Sequence, residues 1–133
     1  MAALAREYNR ALLVVERNNH GFGVLAYLAA AENYDNVFEH HGQPGWQTSA
    51  ATRPKMISEF GALLATAPEL FSSPRLLEEC RTFVRRPDGS AAAVTGAHDD
   101  CVMAMAIAQA VRAEGIVRPG RVATMELATL ERN

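Results

Sequence analysis

At 133 residues the chain has room for one domain with a modest core of its own. Its hydrophobic content of 49% and aromatic content of 7% are those of a globular protein, and a net charge of −2 argues against a strongly basic nucleic-acid scaffold. No apolar run approaches the ~20 residues that span a bilayer, the start is polar rather than a signal peptide, and Cys80 and Cys101 are too few for a zinc site or a disulfide framework; a cytoplasmic protein without membrane contact is the expectation.

Residues 2–10 carry a weak helical pattern in Leu4, Ala5 and Tyr8. Ala11-Leu12-Leu13-Val14-Val15 is continuously apolar and predicts a strand buried on both faces, closed by Glu16. A polar loop, Arg17-Asn18-Asn19-His20-Gly21, leads to an Ala/Leu-rich helix over residues 22–31 carrying Val24, Leu25, Leu28 and Ala31. Strand, polar turn and helix make one α/β unit, and ligands of open α/β sheets bind beyond the strand's carboxyl end, where Glu16 and the asparagines lie. A short strand is expected over residues 36–40, a loop over 41–45, and Trp46 as a core anchor. Ser49-Ala50-Ala51-Thr52 and Pro54 open a helix with the inward stripe Met56, Ile57, Phe60, Leu63 and Leu64, ended by Pro68. Ser73-Pro74 reads as the cap and first position of the next helix, with Leu76, Leu77, Cys80 and Phe83 inward and Glu78, Glu79 and Arg81 in water. Two β-capable runs around Pro87-Asp88-Gly89 predict a hairpin.

The hairpin runs into Gly96-Ala97-His98-Asp99-Asp100-Cys101, a Gly-led turn with two adjacent carboxylates. Behind it comes an apolar helix, buried nearly all round by its composition, from about Asp100 to Glu114 with Gly115 past its end. Residues 116–133 are expected to be a loosely attached tail with a short amphipathic segment carrying Met125, Leu127 and Leu130.

Acids on separate elements suit Mg²⁺ or Mn²⁺, both of which prefer oxygen ligands. Two such ions about 4 Å apart can activate water and stabilise the leaving oxygen of a phosphodiester. Glu16, Asp99 and Asp100 are the candidate set. An Asp just ahead of a helix is most often its N-cap, and that explains Asp99 but not Asp100 as well, because both cannot cap. Asn18 and His98 are candidate ligand contacts, against ordinary turn roles for each. Arg53, Lys55, Arg85 and Arg86 form a candidate phosphate rim, against a solvated surface. His40 and His41 sit adjacent on an expected strand and so should point to opposite faces, which argues against a shared ion.

Five stretches now line up: Val14-Val15-Glu16-Arg17-Asn18-Asn19-His20-Gly21, Gly45-Trp46-Gln47-Thr48, Thr52-Arg53-Pro54-Lys55-Met56-Ile57, Glu79-Cys80-Arg81-Thr82-Phe83, and Gly96-Ala97-His98-Asp99-Asp100 through Ala108. In this order, over about residues 10–112, the chain resembles the nuclease domain of tailed-phage large terminase subunits. The resemblance implies an RNase H-like α/β fold, a mixed sheet flanked by helices, over residues 1–115. It also implies a Mg²⁺- or Mn²⁺-dependent endonuclease that cuts concatemeric double-stranded viral DNA during packaging. Glu16 matches that family's strand-ending acid, and Asp100 with Asp99 matches its late acid pair. The implied partners are DNA, the missing terminase segments, and the small terminase subunit or portal, with a homo-oligomer as a further expectation. Arg53, Asn18 and His98 become the expected substrate contacts.

Two departures qualify the resemblance. No Gly-rich loop ending in Gly-Lys-Ser/Thr is present, so the family's motor activity is not expected. The first metal-binding Asp of the family lies on a strand ahead of the Glu strand, and before Glu16 the chain offers only Glu7 on an expected helix. The N-terminal strands are therefore expected to be missing, leaving an edge open to association. Three readings follow. The first is a nuclease portion incomplete by itself, the second a remnant acting only in protein association, and the third an unrelated α/β domain whose acids are caps.

Overall fold

The computed structural model describes residues 1–115; the expected amphipathic tail lies outside them. The fold is mixed α/β. Among the described residues there are five α-helices and two small antiparallel sheets, in the order α1 (Ala2–Glu7), α2 (Gly21–Ala30), β1 (Glu39–His40), β2 (Gln43–Pro44), α3 (Thr52–Thr66), α4 (Pro74–Thr82), β3 (Phe83–Arg85), β4 (Ala91–Ala93) and α5 (Asp100–Ala113). No helix among them is long and apolar enough to cross a membrane.

The main core lies where α5 packs against α3 and α4. Met56 and Phe60 of α3, Leu76 of α4, and Val102, Ala106, Ile107 and Val111 of α5 bury together with Phe71 and Trp46. Trp46 is the anchor its sequence context implies. The start of α3 is held by reciprocal bonds: the Thr52 amide donates to Ser49 Oγ at 3.1 Å and the Ser49 amide to Thr52 Oγ1 at 2.9 Å. That is the logic of a capping box, with a hydroxyl in the place of the usual Glu. Ser73 caps α4 by accepting from the Leu76 amide, with Pro74 at the first position. The Pro-Asp-Gly hairpin forms as expected, with Phe83 opposite Ala93 and Arg85 opposite Ala91.

A second, smaller cluster joins Ala2 and Ala5 of α1, Val15, Leu28 of α2, and Tyr34. The guanidinium groups of Arg6 and Arg10 lie 5.7 and 5.6 Å from the Tyr34 ring centroid. The Tyr34 hydroxyl donates to the Ala11 carbonyl.

Several expectations need correction. Residues 11–16 are extended but paired on one side only, through parallel bridges from Leu13 to Val37 and from Glu16 to Trp46. The backbone groups of Leu12, Val14 and Glu16 find no backbone partner among the described residues. The segment is thus an edge rather than a strand buried on both faces, and only Val15 of its apolar run is buried. The expected strand at 36–40 pairs as a ladder only at Glu39–His40, where residues expected to be loop turn back to supply Gln43–Pro44. Helix α2 turns Leu25 and Leu28 inward but leaves Val24 and Ala31 exposed. Leu77 is also on the outside. Helix α5 buries one stripe only, with Ala104 and Ala108 in solvent, because alanine-rich composition does not distinguish a buried helix from a half-buried one. His40 and His41 do not diverge: their ring centroids are 4.3 Å apart. His41 has φ +53, which takes it out of strand geometry and swings its ring back.

Candidate metal and phosphate cleft

Glu16 ends the edge segment, and its height is set by two glycines. A Cβ on Gly21 would stand 1.7 Å from the Glu16 carbonyl oxygen, so the start of α2 rests directly on the backbone of the acid. Gly45, at φ +83, would drive a Cβ to 2.6 Å from the Val15 carbonyl oxygen. Only glycine permits both the conformation and the approach. The Arg17 amide donates to the Trp46 carbonyl and the Trp46 amide to the Val15 carbonyl, at 2.9 and 2.7 Å, locking the strand end to the core tryptophan.

On the other side, β4 passes through a turn at Gly96 (φ +85) into α5. The Asp99 carbonyl accepts from the Met103 amide at 2.9 Å, which makes Asp99 the cap residue by backbone. Its side chain does not cap. The carboxylate lies instead 3.7 Å from the Arg53 guanidinium. The capping reading of Asp99 therefore fails at the side chain. The acceptor role belongs to Glu79 of α4, whose Oε2 takes the Cys101 amide at 2.6 Å and the Val102 amide at 3.3 Å. Glu79 is buried, not solvated as its charge led one to expect. It occupies the i+3 place behind Leu76 on the inward stripe that continues through Cys80 and Phe83, so helical spacing signalled its direction where residue type misled. Burial pushes its carboxyl up, but the amides of Cys101 and Val102, the Cys101 side chain and Arg75 outweigh this and hold it below the ordinary glutamate range. Burial and the neighbouring Glu79 push both cysteine thiols up, which keeps Cys80 and Cys101 protonated at neutral pH.

Glu16, Asp99 and Asp100 line one cleft of about 370 Å³, walled by Val14, Arg53 and Met103. Glu16 stands more than eighty residues before the adjacent Asp99 and Asp100. Arg53 donates to the Ala91 carbonyl and to Met103 Sδ, both at 3.1 Å, so the guanidinium ties α3, the hairpin and α5 together beside Asp99. His98 is exposed, with its Nδ1 3.9 Å from Asp100, and is not part of the cleft lining. Asn18 does not belong to the cleft lining: it donates to the Thr48 carbonyl at 3.0 Å and accepts from Gln47 at 2.7 Å, bracing the loop behind Glu16. Lys55 pairs with Glu59 at 3.6 Å, and Arg85 borders a neighbouring pocket with Arg53.

Three acidic residues border the cleft, and neither aspartate side chain caps the helix end, Asp99 being paired with Arg53 instead. No three acids, histidines or cysteines among the described residues stand close enough to cage an ion by themselves. Mg²⁺ commonly sits on one or two carboxylates and keeps its waters, and this is the mode the cleft fits. No protein-family model, curated protein or solved structure matches the chain.

Proposed function

We propose that this chain is the C-terminal part of an RNase H-like terminase nuclease domain, and that its cleft takes part in metal-assisted hydrolysis of double-stranded DNA. The supporting observation is the shared cleft: Glu16, Asp99 and Asp100, remote along the chain, line one cavity with an arginine beside them. One or two of the carboxylates of Glu16, Asp99 and Asp100 would hold Mg²⁺ or Mn²⁺, with water completing its shell. When bound, such an ion supplies Lewis-acid polarisation of the scissile phosphate. Arg53, already fixed on two sides, offers N–H groups toward a phosphate oxygen. His98, exposed beside Asp100, would be free to turn toward the same anion. The first acid of the resembled family would enter on a strand added at Leu12, Val14 and Glu16, whose backbone groups are open. That makes the chain incomplete as a catalyst until a partner segment supplies it.

Nicking of supercoiled plasmid with Mn²⁺ tests the reading, with the chain alone and with a co-expressed segment bearing the missing strand. We expect cleavage that Asp100→Ala abolishes. Cleavage indifferent to both Asp100→Ala and Glu16→Ala would refute the assignment. A second reading, a non-catalytic association module, is favoured by the same open edge and by Leu4, Tyr8, Phe22 and Tyr27, each more than half exposed beside it in sequence. Self-association by light scattering, with no cleavage under either condition, decides for that reading.

A further inference from the structure

We infer that Glu79 is a positioning residue for the acidic pair: it takes over the capping of α5 and so leaves the Asp99 and Asp100 carboxylates to the cleft. Where it concerns a metal, the inference rests on the nuclease reading above. The first amides of a helix have no partner inside it and demand acceptors. Aspartate at the cap position is among the best residues for that task, and Asp99 stands there. A side chain that turned back onto the amides would be lost to any ligand in the cleft. The structure satisfies the demand from elsewhere. Glu79, reaching across from α4, accepts from Cys101 at 2.6 Å and Val102 at 3.3 Å through one oxygen, while Arg75 meets the other at 3.3 Å.

Leu76 and Arg75, on the same helix, hold the glutamate in that arrangement. Leu76 on the same face is buried in the core against α5, which fixes the spacing between the two helices. The carboxylate lies at the positive end of α5, where negative charge is favoured. Its remaining oxygen is held by an arginine within its own helix, so the side chain does not need Asp99, Asp100 or solvent to stay in place. Asp99 turns to Arg53 instead, and Asp100 is left three-quarters exposed. A partner that acts on a metal ligand through the ligand's own orientation changes metal affinity by roughly 10–100-fold when removed.

The experiment uses the full chain, ¹⁵N-labelled, as wild type and as Glu79→Ala, Glu79→Gln, Asp99→Ala and Asp100→Ala. One measurement is hydrogen exchange of the Cys101 and Val102 amides; the other is broadening of the amides at 99–104 by added Mn²⁺. We expect Glu79→Ala to strip protection from both amides and to weaken Mn²⁺ binding by about tenfold or more, with Glu79→Gln, which keeps an acceptor oxygen, restoring part of each. Asp99→Ala and Asp100→Ala should leave the two amides protected while weakening Mn²⁺ binding. Loss of amide protection in Asp99→Ala overturns the capping half, and this holds even if Glu79→Ala fails to fold. Unchanged Mn²⁺ binding in a folded Glu79 variant whose amides have lost protection overturns the positioning half. A wild-type chain that shows no Mn²⁺ broadening overturns the metal half together with the nuclease reading, while the amides still decide whether Glu79 is the cap.

Discussion

The two hydrophobic clusters differ in how they are closed. The α3–α4–α5 cluster is bounded by three helices, a capping tryptophan and an edge-on Phe60–Phe71 pair with centroids 5.4 Å apart. The cluster around Tyr34 has a six-residue helix on one side and, on another, a ten-residue helix that buries only Gly21 and Leu28. Burial of apolar area drives folding in both, and both close their central side chains to solvent, but the first does so with more and longer helices. The acids follow the same division. Asp99 and Asp100 stand on the well-packed part, while Glu16 stands where the thin part meets it. A site assembled from both parts inherits the stability of the weaker one.

Hydrogen exchange should expose this most plainly. Amides in α5 should exchange about 100-fold more slowly than those in α2, since sub-global opening of the thin cluster does not require the helical core to unfold. Equal protection in the two helices would erase the distinction. Next in size, Phe60→Ala should cost about 3–5 kcal/mol, read from the urea midpoint. Leu28→Ala should cost about 2 kcal/mol, at the low end for a buried leucine because the small cluster around it, built on two short helices, can collapse onto the gap. A greater loss for Leu28→Ala than for Phe60→Ala would reverse the ranking. Tyr34→Phe, which removes one hydrogen bond to the Ala11 carbonyl, should cost about 1 kcal/mol.

The smallest effect at neutral pH is expected from Glu79→Gln, which keeps an acceptor, and the difference appears in acid. Because the folded carboxyl titrates below its unfolded value of about 4.5, its contribution is present above that pH and fades as the pH falls through the folded value. Thermal melts from pH 6 to pH 3 should show a steeper acid decline in the wild type than in Glu79→Gln. Parallel curves would mean that this group does not set the acid limb.

The helices and hairpin were legible because their signals are local: the Ser73-Pro74 start, the stripe from Met56 to Leu64, and the Pro-Asp-Gly turn each act within a few residues. That Glu16, Asp99 and Asp100 border one cleft agrees with the expectation drawn from the resemblance and from Glu16 closing an apolar strand, although no three acids among the described residues come close enough to cage an ion. What failed was whatever depends on the other side of a contact. An apolar run such as residues 11–15 does not reveal how many neighbours it has. Alanines in α5 suit a core or a surface equally well. Glu79 was assigned to water on its charge, although its spacing from Leu76 placed it inside; an amide partner from another helix leaves no trace in the sequence. Asn18 was a candidate contact, but its partners, Gln47 and Thr48, lie thirty residues on.

The contact of Gly21 on the Glu16 carbonyl has a mechanical consequence. With no side chain between them, the first turn of α2 packs backbone to backbone on the strand end that carries the acid. A single methyl group added at Gly21 would stand 1.7 Å from the Glu16 carbonyl oxygen, so alanine there would force the helix start and the acid's strand apart.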